Sequence, residues 1–214
     1  MRQDKKIFLA LLISIIFIIF IILFLPKITN HNESLNNVSS SNMKEIKDIL
    51  RVELANYNQN EYSISHIQQL GGYTLVLVDR KPKMGQNDIV VYAIKEEQGK
   101  QNIVSRNFGD QPKSLGVSVY KMKLPNITVV YGGVSDQVWL NPNDSVTKVD
   151  FTEVKVLYSH GEERSMPIKN FQTFMICLEG DVYIDDVLFL SKDEVVNKLS
   201  ILPIGENNID EFNK

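Results

Sequence analysis

Cysteine is almost absent from the chain, since Cys177 is the only one among 214 residues. A lone cysteine excludes a disulfide within the chain, so the fold must depend on its hydrophobic core. Cys177 lies in the apolar string from Phe174 to Leu178, which is typical of a small core residue. The sequence therefore predicts that Cys177 is a buried core residue.

An excess of basic residues is also missing from the body of the chain. From residue 43 to residue 214 there are 19 Lys and Arg side chains and 24 Asp and Glu side chains, which gives a formal net charge of −5. The phosphates of nucleic acids attract basic surfaces, so this acidic balance disfavours them as partners. We expect no nucleic-acid binding.

Sequence signatures of metal, cofactor and nucleotide sites are missing. His66 and His160 have no cysteine nearby and belong to no His-Glu-x-x-His pattern, so zinc has no evident ligand set. Neither Gly71–Gly72 nor Gly132–Gly133 is followed by the Gly-Lys-Ser/Thr end of a phosphate loop. We therefore assign no catalytic, cofactor-binding or metal-binding residue, and we expect no cofactor.

Two short patterns approach known chemistry without completing it. Ser145 and Lys148 have the Ser-x-x-Lys spacing of penicillin-recognising enzymes, but they enter a predicted strand and the partner motifs are missing. Asp181, Asp185 and Asp186 form the densest carboxylate group, yet they lack the spacing of a calcium-binding loop. A solvated turn is the simpler interpretation of the aspartates.

One long apolar run is present, and it dominates the expectations about location. Residues 7–25 are interrupted only by Ser14, and a helix of this length would be about 28 Å long, close to the roughly 30 Å core of a bilayer. Arg2, Lys5 and Lys6 precede the run, which predicts a cytoplasmic N-terminus and an extracytoplasmic body. A cleaved signal peptide is the alternative, but Phe24–Lys27 offer no small-residue cleavage site. The expected partner of residues 7–25 is the lipid bilayer of the cell membrane.

The remaining chain is predicted to contain one helix followed by short strands. Apolar residues recur at helical spacing from Met43 to Tyr57, and Asn42 with Glu45 fits an N-terminal capping box. After Asn60, short β-branched segments alternate with turn residues, as expected for antiparallel strands. The predicted fold class is α+β behind one transmembrane helix, with a helix on an antiparallel sheet followed by a small β-sandwich-like module.

The domain prediction places a boundary near Leu124 and Pro125. A single domain in which both halves share one sheet is the alternative. The predicted segments are a cytoplasmic tail (1–6), a transmembrane anchor (7–25), a flexible polar stalk (27–41), a helix-plus-sheet lobe (42–124), a β-sandwich-like lobe (125–200) and a C-terminal tail (201–214).

The segments Ile127–Gly133 and Val154–Gly161, together with the order of anchor, stalk, helix and strands, carry a resemblance. The chain resembles uncharacterised single-pass, membrane-anchored exported proteins of low-GC Gram-positive bacteria. The resemblance implies an exported envelope protein and brings no catalytic residues.

Three function classes follow from the sequence. The leading hypothesis is a membrane-tethered, noncatalytic module that binds an envelope protein or polymer, with Trp139 either a partner anchor or a loop-packing residue. The second is a cell-envelope enzyme that uses carboxylates such as Glu162, Glu163, Asp181 or Asp185. The third is a structural component of a membrane complex.

Overall fold

The chain folds mainly into antiparallel strands. The computed structural model describes residues 40–55, 57–81, 88–112, 116–138, 146–159, 161–192 and 194–199. Within these residues there are thirteen strands, one α-helix and the 3-10 turn Gln59–Glu61. The predicted α+β class behind a transmembrane helix is therefore wrong, because sheets packed on sheets form most of the core and the helix is one element of 14 residues.

The predicted transmembrane segment at residues 7–25 lies outside the described residues, as do the tails at 1–6 and 201–214. Among the residues that are described, no helix is long and apolar enough to span a bilayer.

The helix α1, Ser40–Glu53, carries the predicted apolar stripe. Ile46, Leu50 and Leu54 are buried against the first sheet, which confirms that this face is the packing face. The predicted capping box is wrong, because Ser40 and the residue after it are already helical and Asn42 therefore lies inside the helix. The first turn of a helix leaves its N–H groups without intrahelical acceptors, so polar residues there can extend the helix at little cost.

The strands follow the short β-branched segments of the sequence. Their bounds are β1 Tyr62–Leu70, β2 Tyr73–Arg80, β3 Ile89–Glu97, β4 Lys100–Gly109, β5 Val117–Leu124, β6 Ile127–Val134, β7 Gln137–Val138, β8 Thr147–Lys148, β9 Glu153–Tyr158, β10 Glu162–Pro167, β11 Thr173–Glu179, β12 Ile184–Ser191 and β13 Glu194–Leu199.

These strands form three main sheets. The first sheet has the order β1-β2-β3-β4, the central sheet β11-β6-β5 and the last sheet β10-β9-β12-β13, while β7 and β8 form a small separate pair. Every strand pair in them is antiparallel.

The helix and the three sheets stack as four layers. Helix α1 covers one face of the first sheet, and the other face of that sheet packs on the central sheet. The opposite face of the central sheet packs on the last sheet through residues such as Phe174, Ile176 and Phe189. Strand β6 is buried at every position, because both of its faces lie inside a core.

Cys177 lies in the core between the first and central sheets, with 2 % of its surface exposed. The prediction of a buried core cysteine is confirmed. Burial raises the pKa of its thiol to about 12.

The predicted division near Leu124 falls in the turn between β5 and β6. These two strands pair along their whole length, from Val117 opposite Val134 to Leu124 opposite Ile127. The described residues all belong to one compact unit. Independent folding of the two predicted lobes stays a prediction that stability measurements can test.

Candidate functional site

A β-bulge in the edge strand β1 places polar side chains between the first and central sheets. Ile64 pairs with Val78 and His66 pairs with Leu77, so Ser65 is the extra residue without a partner in the register. Bulges redirect side chains and are common beside functional sites. The Ser65 hydroxyl lies 3.2 Å from the carbonyl oxygen of Leu77 and 3.3 Å from Oδ1 of Asp79.

Asp79, near the end of β2, is the acidic centre of this group. Thr173 on β11 donates its hydroxyl to Oδ2 of Asp79 at 3.2 Å. Burial raises the pKa of the Asp79 carboxyl, and the hydrogen bonds from Thr173 and Ser65 and the charge of His66 offset only part of that effect. The fold therefore holds a carboxyl group that is costly to ionise. We call Ser65, His66, Asp79, Gln111 and Thr173 the Asp79 cluster.

His66 connects the two sheets directly. Its Nε2 donates to the backbone carbonyl oxygen of Thr173 at 2.8 Å, so that nitrogen carries a proton. A serine hydrolase needs a histidine that accepts the serine proton and is oriented by an aspartate. Here the aspartate contacts the serine instead, and the histidine nitrogen is committed to a carbonyl. The Asp79 cluster therefore has the residue types of a catalytic triad without its geometry.

The segment at Gln111 and Pro112 covers the central sheet beside this cluster. The Gln111 side chain is hydrogen-bonded to Asp79, and its backbone N–H donates to Oδ1 of the buried Asp88. A Cβ added to Gly133 would lie 3.3 Å from Cδ of Pro112 and 3.6 Å from the carbonyl oxygen of Gln172. The cluster and the turn that precedes β11 therefore belong to one continuous surface.

That turn displays an aromatic side chain in a strained backbone conformation. Phe171 has a φ of +62°, and 65 % of its surface is exposed. The left-handed region costs an L-residue other than glycine or asparagine about 1–2 kcal/mol. Because the ring is mostly exposed, its burial does not offset this backbone strain in the isolated chain.

Hydrogen bonds on both sides hold the turn in place; we call residues 168–172 the Phe171 turn. The Phe171 N–H donates to Val134 O at 3.0 Å, and the Val134 N–H donates to Gln172 O at 3.1 Å. Asn170 donates from Nδ2 to Val149 O at 2.9 Å and accepts from the Phe151 N–H at 2.9 Å. The turn is thus anchored to β6 on one side and to residues 149–151 on the other, while the Phe171 side chain stays largely exposed.

The residues singled out from the sequence lie elsewhere or outside the described part of the chain. Trp139, Ser145 and His160 are outside it. Lys148 lies on β8, and its ammonium is 3.4 Å from Asp136. The serine of the incomplete Ser-x-x-Lys pattern therefore lies outside the described residues.

The carboxylates suggested for catalysis are exposed or engaged by lysines. Lys123 hydrogen-bonds Asp181 at 2.8 Å and lowers the pKa of that carboxyl. Glu163 lies 3.2 Å from Nζ of Lys155, and Glu162 beside it on β10 is exposed. Asp186, from the aspartate group weighed as a calcium site, lies 2.8 Å from Nζ of Lys198. In the part of the chain that the structure describes, no three His, Cys, Asp or Glu side chains are grouped so that they could hold a metal ion.

The sequence contained one signal for the Asp79 cluster that the strand prediction did not use. In β1 the apolar alternation runs through Tyr62 and Ile64 and then resumes at Ile67, one position out of phase. Such a shift indicates a bulge. No comparable signal indicated Phe171, because its exposure depends on the hydrogen bonds from β6 and from residues 149–151.

Comparison with known proteins finds no matching family model, no matching curated protein and no matching solved structure.

Proposed function

We propose that the protein is a noncatalytic binding module that recognises a partner protein through the Phe171 turn. The observation that carries the proposal is the exposed phenyl ring at a φ of +62°, fixed from both sides by hydrogen bonds. Backbone strain that the surrounding structure maintains is concentrated at functional sites.

The Asp79 cluster is a second reason to assign function to this surface. A carboxyl group whose ionisation is disfavoured by burial reduces stability at neutral pH, as the strained turn also does. The strained turn and the buried carboxyl group are both close to Thr173. This residue is two positions from Phe171 and contacts both Asp79 and His66. Features that lower stability are retained where function needs them.

The partner is expected to be a protein that offers an apolar pocket for a phenyl ring. Aromatic anchors dominate binding energy when they enter well-packed, desolvated pockets. Because the turn is already held in one conformation, binding would cost little conformational entropy. A carboxylate-dependent enzyme is the weaker candidate, since Glu163 and Asp181 are each engaged by a lysine on the surface.

The test uses a photo-crosslinking amino acid, p-benzoylphenylalanine, in place of Phe171 in the full chain. Tyr183 is a matched control, because it is also an exposed aromatic residue, with 53 % of its surface accessible. Irradiation of cells that express each chain should give a discrete adduct for position 171 that position 183 does not give. Mass spectrometry of the adduct identifies the partner.

A second arm measures how strongly the identified partner binds. Phe171→Gly should weaken binding at least tenfold, because truncating an aromatic anchor costs about 2 kcal/mol or more. The same variant should be as stable as the original chain or more stable, since glycine adopts a φ of +62° without strain. Identical adducts at both positions, or unchanged affinity in Phe171→Gly, would refute the proposal.

A further inference from the structure

Thr173, the first residue of β11, connects the Asp79 cluster to the Phe171 turn. Its hydroxyl donates to Oδ2 of Asp79 at 3.2 Å, and its carbonyl oxygen accepts from Nε2 of His66 at 2.8 Å. The preceding residue, Gln172, accepts from the Val134 N–H through its carbonyl oxygen at 3.1 Å. Two ionisable side chains of the first sheet therefore hold the residue that follows the turn, so a change of charge at Asp79 can reach the turn through Thr173.

Ser65, the bulged residue of β1, can satisfy the Asp79 carboxyl in either protonation state. Its hydroxyl oxygen lies 3.3 Å from Oδ1 of Asp79 and 3.2 Å from the carbonyl oxygen of Leu77. A hydroxyl has one proton and two lone pairs, so it cannot donate fully to both oxygens. When Asp79 is ionised, Ser65 can donate to Oδ1 at the expense of Leu77. When Oδ1 carries a proton, Asp79 donates to Ser65 and Ser65 donates to Leu77, so both contacts are hydrogen bonds.

The two protonation states differ in how firmly they hold Thr173. A hydrogen bond to an ionised carboxylate is roughly twice as strong as one to a neutral acceptor. Uptake of a proton on Oδ1 therefore weakens the bond from Thr173 to Oδ2, although only hydrogen atoms need to move. Asp79 is only partly buried, so solvent protons can reach it. Burial raises the pKa of this carboxyl, which moves proton uptake above pH 3.8.

Other charged side chains act on this carboxyl group from the elements packed around it. These are His66 on β1, Asp88 before β3 and Asp110 on the segment that contains Gln111. Asp88 is connected through Gln111, whose N–H donates to Asp88 and whose side chain is hydrogen-bonded to Asp79. The charge of His66 lowers the pKa of Asp79. A proton on His66 therefore favours the ionised carboxyl, and substitutions are needed to separate the two titrations.

We propose that the Asp79 cluster is a protonation switch that sets how firmly the Phe171 turn is held for its partner. Loss of the proton from Oδ1 strengthens the bond to Thr173 and favours the binding conformation, and proton uptake loosens it. The inference rests on the proposed binding role of the turn. Partner affinity is expected to fall about fivefold as the pH falls through the pKa of Asp79, which is the difference between a charge-assisted and a neutral hydrogen bond.

Carbon-13 NMR of the Asp79 carboxyl in the full chain gives the midpoint of its titration. Ser65→Ala removes the acceptor that the protonated carboxyl needs, so it should lower the midpoint. Thr173→Val removes only a donor to the carboxylate, so it should raise the midpoint. A rise in both variants would mean that Ser65 is only a donor, and it would overturn the switch.

Hydrogen exchange followed by NMR measures the turn itself, through the Phe171 N–H that donates to Val134 O at 3.0 Å. Its protection factor should fall about fivefold as the pH falls through the Asp79 midpoint. Asp79→Asn carries one donor and one acceptor, as the protonated carboxyl does, and should show the lower protection at every pH. The Val130 N–H in β6 is the internal control. It reports global opening, which becomes rarer when the buried charge is neutralised, so its protection should not fall.

His66→Gln separates the histidine titration from that of Asp79. Glutamine keeps an N–H donor for the Thr173 carbonyl but takes up no proton in this range, so the response of the Phe171 N–H should remain. A response that is lost in His66→Gln and persists in Asp79→Asn would overturn the proposal, as would protection of Phe171 that does not change with pH. These measurements need no partner, so failure of the switch is distinguishable from failure of the crosslinking at position 171.

Discussion

Asp79 and Phe171 each occupy an environment that is unfavourable for their residue type. Asp79 is a carboxylic acid in a site that disfavours its charge, and Phe171 is an aromatic residue in the left-handed region. Neither property is visible in the neighbouring sequence, because Asp79 is enclosed partly by Thr173, which lies 94 residues further along the chain. The buried face of α1 and the core position of Cys177, by contrast, follow from local apolar patterns.

Asp79→Asn should make the chain more stable at neutral pH. Because the folded-state pKa of Asp79 is raised above 3.8, the native state binds its proton more tightly than the unfolded state. The ionised group therefore lowers stability above the folded-state pKa, and this cost disappears as the pH falls towards 3.8. The advantage of Asp79→Asn in urea midpoint should accordingly be largest near pH 7 and vanish near pH 4.

Asp181→Asn is the matched control with the opposite sign. The hydrogen bond and charge of Lys123 lower the pKa of Asp181, so its contribution is favourable above pH 3.8 and is lost as the pH falls through the folded-state pKa. That variant should gain no stability at neutral pH. A loss of stability in Asp79→Asn at pH 7 would show that the ionised carboxylate is needed by its hydrogen-bond donors.

At the scale of single elements, the sequence predicted which segments form strands better than how they pair. The β-branched segment from Ile127 to Val134 predicts a strand, and β6 has the same bounds. The apolar residues at 182–184 and 187–190 predict two separate strands. The structure has one strand there, β12, which begins at Ile184 and contains 187–190, because a register shift between Ile184 and Asp186 accommodates the aspartates. Here the apolar alternation carries no clear phase shift, so the composition of this segment does not reveal the bulge.

Gly132→Ala should destabilise the chain strongly. A Cβ at Gly132 would overlap the carbonyl oxygen of Ser118 on the paired strand β5, and a backbone atom cannot move aside without distorting the hairpin. Overpacking of this kind costs about 1–3 kcal/mol and sometimes more. The measurement is the free energy of unfolding in urea.

Gly133→Ala on the same strand is the control for Gly132→Ala. Its nearest contact would be Cδ of Pro112 at 3.3 Å, so the segment that carries Pro112 needs to move by only a few tenths of an ångström. The expected cost is below about 1 kcal/mol. Equal destabilisation by the two substitutions would contradict this account of β6.

For the whole molecule, the arrangement of the sheets was beyond sequence reasoning. The central sheet combines β5 and β6 with β11. Strand β11 pairs with β6 although four other strands, β7 to β10, lie between them in the chain. Local periodicity predicts that each of these segments is apolar, but it does not reveal which long-range partner each one selects. The fold class was therefore wrong even though most elements were identified.

The shared central sheet predicts cooperative unfolding. Both sheet-on-sheet cores include residues of β6 and β11, so neither core can be lost without exposing those strands. Hydrogen exchange followed by mass spectrometry should show the slowest exchange in β6 and β11, with a free energy of opening equal to that of global unfolding. The edge strand β13, with Val195 52 % exposed, should exchange earlier.

Separate unfolding steps for the first and last sheets would contradict that prediction. They would favour two independently stable lobes, the division near Leu124 that the sequence suggested. In that case, slow exchange would be confined to the more stable lobe.

Cys177 gives the molecule a natural chemical reporter. Its thiol is buried between the first and central sheets, and its raised pKa leaves almost no thiolate at neutral pH. A thiol-reactive reagent can therefore modify it only in molecules whose two sheets have separated. Because it is the chain's only cysteine, the rate of modification measures the opening of that one core without any engineered label.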